Sequence, residues 1–399
     1  MNRLRNERQM KALTGLGQEK FELLLESFSG SLKEQESENY QVNRQKRNRR
    51  PGGGQKGAFS NVQDKLFFIL YYLKTYPTFD NLGYTFNLSA SKACENVKKL
   101  MPVLSHAQSK LKVQPLRKLC KISDLESALE SKTEAKDFVD NSVVWEEEVS
   151  FAAQASIPAL KKAKDSQTPS KLGQTLRALY ERENPSEFPN QEEEASCDAQ
   201  DLTPALNQTE PNTINSTNKE VLIDVTERTH FRHKNNRKQK KHYSGKKGTH
   251  TVKNTVMSTP NRSIVFLGKT YEGSVHDYKM LKQEVSPKKA WWSKVNAWVD
   301  LGYQGIKTDY ENPENVSIPH KKPRKSKSLP KPSLTKTQKQ ENKKVGQKRV
   351  FVEHTIGGMK AFHILSTRFR NRSDNFADEA AFLVAGLWNL KIGSNFNKL

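Results

Sequence analysis

Apolar positions along this chain change period near residue 219, from helical spacing before it to strand alternation after it. Phe21, Leu24, Leu25 and Phe28 recur at three and four, a helical stripe that follows the loop-like Thr14 and Gly15. Val62 to Tyr76 reads as a second helix that stops before Pro77, because proline has no amide hydrogen to donate. A short helix over Asp80 to Phe86, a turn at Asn87 and Leu88 and a helix capped by Ser89 come next, with Ala93, Val97 and Leu100 or Met101 facing inward. After residue 219 the pattern predicts strands at Val221 to Val225, His250 to Ser258 and Ser263 to Tyr271, the last two joined by a turn at Pro260 and Asn261. A helix from near His276 to Glu284 and a fourth strand over Ala297 to Asp300 complete the series.

A helix, a tight turn and a capped helix make a helix-turn-helix, whose second helix enters the major groove of DNA. Its exposed face holds Ser91, Lys92, Glu95, Asn96, Lys98 and Lys99, and Lys92 and Asn96 are the candidate base or phosphate contacts. An ordinary packed helical pair would show the same pattern, and charge tips the choice. With 67 Lys plus Arg against 44 Asp plus Glu the net charge is +23, which favours a polyanionic partner.

Residues 121 to 220 hold 20 acids and 10 bases, so the remainder carries +33 and must supply the polyanion contacts. The acidic stretch 121–219 is expected to be a largely disordered linker or insertion, given its Asn, Thr and Pro content and its few apolar residues. Residues 46–57, KRNRRPGGGQKG, form a basic glycine-rich connector. The expected organisation is 1–58 helical with this connector, 59–120 helix-turn-helix, 121–219 linker, and 220–394 a second domain with a flexible basic insert at 308–347. Cys94, Cys120 and Cys197 are too few for a disulfide framework, and no apolar run spans a bilayer or forms a signal peptide. A cytoplasmic protein without a membrane association is expected.

Three acids break apolar runs. Asp224 follows Val221, Leu222 and Ile223; Asp300 closes Ala297, Trp298 and Val299; Glu353 follows Val350, Phe351 and Val352. A carboxylate there is costly unless its charge is compensated, and a divalent cation does that. Three strands, a helix, a strand and a later helix with the last acid is the order of a ribonuclease H-like α/β domain with a mixed sheet. On the final helix Arg349, Glu353 and Lys360 share one face. Taken alone, Arg349 and Glu353 would be a surface ion pair worth a few tenths of a kcal/mol. Lys246 and Lys247 lie in a basic turn before a strand. His276 and Asp277 read as a helix cap, Glu227 and His230 as groups behind the site, and Trp291 and Trp292 as core or as a platform for an extruded base.

The ordered set RRPGGGQKG, LYYLKTYPTFDNLGYTFNLS, LIDVTER, HYSGKKGTHTVKNTV, GSVHDYKML, WVDLGYQG, IPHKKPRK and RVFVEHTIGGMKAF resembles the DDE-type transposases of bacterial insertion sequences, in the Harbinger-related group. The resemblance covers both ends of the chain and leaves chiefly 121–219 unmatched. It implies that Asp224, Asp300 and Glu353 are the catalytic, metal-binding acids, holding two Mg²⁺ ions for which Mn²⁺ can substitute. Arg349 and Lys360, on the Glu353 face, and Lys246 and Lys247, in their basic turn, are the residues expected to grip DNA phosphates. The expected partners are double-stranded DNA, as terminal inverted repeats and target, and further copies of the chain in a synaptic complex. The family's tyrosine three residues before the arginine is Gly346 here. The alternative readings are an inactive or domesticated DNA-binding regulator and a nuclease that cuts without joining.

Overall fold

The computed structural model describes residues 6–42, 58–59, 61–133, 219–324, 333–373 and 375–393. The basic connector 46–57 and most of the acidic stretch lie outside them. Amphipathic spacing gives helices α1 (Glu7–Thr14), α2 (Gln18–Val42) and α3 (Val62–Thr75). Helices α4 (Phe79–Phe86) and α5 (Ala90–Lys110) follow. The turn between α4 and α5 is built as expected. Asn87 takes the left-handed conformation, φ 55°, the Leu88 amide donates to the Gly83 carbonyl at 2.7 Å, and the Ser89 side chain accepts from the Lys92 amide. A Cβ on Gly83 would come within 2.5 Å of the Leu88 carbonyl oxygen, so the tight turn requires glycine there.

One correction concerns the boundary at 121. Ile122–Thr133 is a helix, α6, and its Leu125 and Leu129 are buried in an apolar cluster with Val221, Ile223 and Trp291. The start of the acidic stretch is therefore part of the packed fold.

The sheet is formed by β1 (Lys219–Thr229), β2 (Tyr243–Ser244), β3 (Thr249–Ser258), β4 (Ile264–Leu267), β5 (Tyr271–Glu272), β6 (Val295–Trp298) and β7 (Val316–Ser317). Helix α7 (Asn236–His242) precedes β2, and α8 (Asp277–Glu284) lies between β5 and β6. The strand order is β2-β3-β1-β6-β7, with β4 and β5 also paired to β3. β3 runs antiparallel to β1, whereas β6 and β7 run parallel, which gives the mixed ribonuclease H-like sheet. β1 is longer than its apolar run predicts. Val225 to Thr229 pair with Thr251 to Thr255, and Arg228 is buried under the Phe369 ring, 5.6 Å from its centroid. Ser263 to Tyr271 divides into two strands, β4 and β5.

The basic segment 308–347 is not simply an insert. It contributes β7, and its second half is the start of α10 (Lys336–Lys360), which follows the short α9 (Ile306–Asp309). Thr335 and Gln338 form a reciprocal capping box that starts α10 ten residues before its first buried side chain, Val345. Residues 325–332 lie outside the described set.

Helix α11 (His363–Ser366) leads to α12 (Phe376–Ile392), which lies within the apolar cluster that also holds α3, α5 and the α10 face Val352, Ile356 and Met359. Asn389 links three elements: its side chain donates to the Val113 and Ile264 carbonyls and accepts from the Ile264 amide, each at 2.8 Å. A Cβ on Gly358 would meet the Trp388 ring at 2.0 Å, so close packing of α10 on α12 demands glycine there.

Glu284 ends α8 half-buried. Burial pushes its carboxyl up to about 7, against the Lys269 amide, which donates to it at 2.9 Å, and the nearby Arg117 charge. Because the folded value exceeds the ordinary 4.5, this group supports folding fully below about pH 4.5 and loses that contribution as pH rises through 7. Glu284→Gln is expected to flatten this part of the pH–stability profile and to be more stable than wild type at pH 8, by on the order of 1–3 kcal/mol. Urea melts at pH 5 and 8 measure it, and parallel profiles for the two proteins would refute it.

Candidate active site

The parallel ladder between β1 and β6 brings two of the three acids together. Lys219 pairs with Val295 and Leu222 with Trp298, so two further residues along each chain place Asp224 beside Asp300. Asp224 is thus mid-strand, not at a strand end, and Asp300 lies just past β6, at the cap of a 3-10 turn over Leu301–Tyr303. Helix α10 packs across β1 and supplies the third acid, Glu353, with Arg349 one turn before it.

Arg349 joins all three. Its Nη2 lies 3.5 Å from Asp224 Oδ2 and 3.9 Å from Glu353 Oε1, and its Nη1 lies 3.2 Å from Asp300 Oδ1. The guanidinium side chain is only 15% exposed, against 24% for Asp224, 46% for Asp300 and 56% for Glu353. Arg349 and Glu353 are therefore not an isolated surface pair. One cation balances three carboxylates that face one point.

Electrostatics at Asp224 follow from this crowding. Burial, foremost, raises its carboxyl above the ordinary range, and the neighbouring Asp300 and Glu353 charges add to the shift. The Val225 amide, donating at 2.8 Å, and Arg349 act against it. An all-oxygen set of three carboxylates, one of them poorly hydrated, is the donor chemistry that suits a hard divalent cation such as Mg²⁺. The residues fit that group.

Lys360, further along the same face, has its ammonium pushed down by burial and then by Lys247, while Glu227 and Asp224 draw it up. Lys247 and Lys246 are exposed in the turn between β2 and β3, so the structure brings Lys247 and Lys360 into one electrostatic neighbourhood. Glu227 accepts from the Thr251 hydroxyl at 2.6 Å, beside the site. Lys92 and Asn96 belong to α5 and are not part of this group; Lys92 pairs with Glu95 at 2.9 Å, and the Asn96 amide donates back to the Lys92 carbonyl. His276 caps α8, as expected, and Asp277 pairs with Lys253 at 3.0 Å. Trp291 and Trp292 are fully buried, which overturns the base-platform reading. Sequence reasoning missed Tyr303, buried beside Asp224 and Asp300, whose phenol burial pushes well above its usual range. Its neighbourhood is set by the turn after Asp300, and no local pattern reveals it.

Residues 223–389 match the family described as DDE superfamily endonuclease, and residues 61–108 match the helix-turn-helix of DDE superfamily endonuclease. Both segments are thus similar to those of DDE-type transposases of insertion sequences. A probable transposase for insertion sequence element IS702 of Microchaete diplosiphon is 36% identical over 173 residues, which cover 43% of this chain and 57% of that protein. The chain thus spans little more than half of that relative's length. No solved structure matches the chain. Within the DDE match fall Asp224, Asp300, Glu353 and Arg349, and within the helix-turn-helix match fall Lys92 and Asn96. No helix among the described residues is long and apolar enough to cross a membrane.

Replacing Arg349 with Met should leave three facing carboxylates without their cation. The expected outcome is a lower melting temperature in EDTA and a larger rise on adding Mg²⁺ than wild type shows. Thermal melts with and without Mg²⁺ read this directly, and equal Mg²⁺ responses would show that Arg349 does not balance the acids.

Proposed function

We propose that the protein is a transposase that cuts DNA at the ends of its element and joins the freed 3′-hydroxyl to target DNA. The supporting observation is the convergence of Asp224, Asp300 and Glu353, from two parallel strands and a helix, on the single guanidinium of Arg349. These acids are the residues that would hold Mg²⁺, with Mn²⁺ as its substitute. When bound, such ions would activate the attacking oxygen and neutralise the leaving one.

The chain's own groups do the remainder. Asp224, the least exposed of the three, would supply the least hydrated carboxylate to that cation. Glu353 is the most exposed of the three and so the most open to an incoming substrate. Once another cation balances the acids, Arg349 is free to hold a phosphate beside the scissile bond, and Lys360, Lys246 and Lys247 extend that grip along the backbone. In the first step water attacks phosphorus and the P–O3′ bond breaks, leaving a 3′-hydroxyl. In the second that hydroxyl attacks a target phosphorus and displaces a second 3′-oxygen.

Residues 59–120 would read the terminal inverted repeats, with Lys92 and Asn96 on the α5 face, and residues 220–394 would cut. Joining two ends requires at least two copies of the chain, acting in the cytoplasm.

The test incubates purified protein with DNA carrying the gene's own flanking ends, in Mg²⁺ or Ca²⁺, and compares wild type with Asp300→Asn. Nicking and joining in Mg²⁺, absent in Ca²⁺ and reduced at least roughly a thousandfold in the variant, is the expected result. Binding without cleavage by wild type would reject the transposase in favour of a DNA-binding regulator, and cleavage without joining would leave a nuclease.

A further inference from the structure

Three histidines meet just beyond the end of β1, in a group that the acid site does not use. His230 follows the strand, His233 lies in the next loop, and His242 is the last residue of α7; one ring nitrogen from each lies within 4.8 Å of the others. The ring centroids are 5.4 Å apart for His230 and His233, 5.3 Å for His230 and His242, and 4.3 Å for His233 and His242.

Hydrogen bonds orient two of the rings. His242 Nδ1 lies 2.9 Å from the Lys238 carbonyl and His230 Nδ1 lies 3.3 Å from the Phe231 carbonyl. A carbonyl oxygen only accepts, so each Nδ1 carries the proton and each Nε2 keeps its lone pair. His233 Nε2 is buried without a hydrogen-bond partner. Such an arrangement, with one ring nitrogen tied to a carbonyl and the other free, is how proteins present imidazole to a metal.

Helix α7 supplies the second line of argument. Its sequence is NRKQKKH, and none of its residues is buried. No apolar face holds this basic helix to the sheet. His242 brings it against the end of β1.

We propose that His230, His233 and His242 bind one borderline-soft divalent ion of the zinc class and that this ion fastens α7 to β1. Tetrahedral ligation at 2.0–2.1 Å sets nitrogens roughly 3.3 Å apart, so the widest pair, within 4.8 Å, must close by at most about 1.5 Å. Side-chain rotation at His233, in a loop, and at His242, at a helix end, supplies that movement. The fourth position is left to water. The ligand chemistry separates this site from the acids: three imidazoles select zinc or cobalt over Mg²⁺, which prefers oxygen. The proposal does not depend on the transposase reading.

The test uses the full chain carrying Asp300→Asn, to weaken the oxygen site, titrated with Co²⁺ without DNA. Visible d–d absorption of four-coordinate cobalt, saturating at one equivalent, displaced by Zn²⁺ and unaffected by excess Mg²⁺, is expected. His233→Gln and His242→Gln should each weaken Co²⁺ binding by more than the roughly 10- to 100-fold that loss of a group behind a ligand costs. Neither ring is in the hydrophobic core, and matching circular dichroism in EDTA checks that both variants fold. Hydrogen exchange over residues 236–242 gives an independent readout, slowed by Zn²⁺ in the parent only. No cobalt band, or bands and affinities unchanged in both variants, would overturn the site.

Discussion

Three carboxylates cannot be held around one point in a half-buried site without a cation, and in this chain that requirement falls on Arg349. The surrounding architecture serves the arrangement. A parallel register sets two acids side by side, and a helix begun by a capping box carries the third acid and the arginine across β1. Lys348, the residue before Arg349, pairs with Glu220 at 2.8 Å and lies over the Trp298 ring, 5.8 Å from its centroid, which ties the same helix turn to β1 and β6. The site is therefore organised with its own counter-charge already in place.

Much of this was legible in the sequence, and what was not has identifiable causes. Asp224, Asp300 and Glu353 stand out because each interrupts an apolar run, a local signal. Their meeting depends on strand register, which no single segment encodes. The second half of β1 looks like a loop because Thr226, Glu227 and Arg228 are polar; Thr226 and Arg228 are buried only because β3 pairs there and Phe369, much later in the chain, covers the arginine. The first ten residues of α10 have no apolar stripe, so pattern reading gives an insert, whereas end-capping and helix-forming residues give a helix. The histidine cluster did leave a trace: of the nine histidines in the chain, His230, His233, His242 and His250 fall within one short stretch. Its geometry comes from a loop and a helix end, where periodicity carries no information.

Amphipathic spacing also says that a face is buried without saying against what. The faces of α3 and α5 could have closed on each other alone. Instead they share a core with α10 and α12, and Gln108 of α5 donates to the Leu383 carbonyl of α12 at 2.9 Å. Arg117, after α5, pairs with Asp378 in the first turn of α12 and donates to the Leu267 and Gly268 carbonyls. The helix-turn-helix and the sheet are thus joined through the last helix described.

That joint has a consequence for the order of events on the ribosome. Eleven of the seventeen residues of α12 are buried, and they are synthesised after α3 to α5. Until α12 arrives, the nascent helix-turn-helix lacks a wall of its core, so its recognition helix matures together with the acid site. Synthesis itself thereby couples the packing of the helix-turn-helix to that of the acid site, and a chain interrupted before α12 would carry neither in finished form.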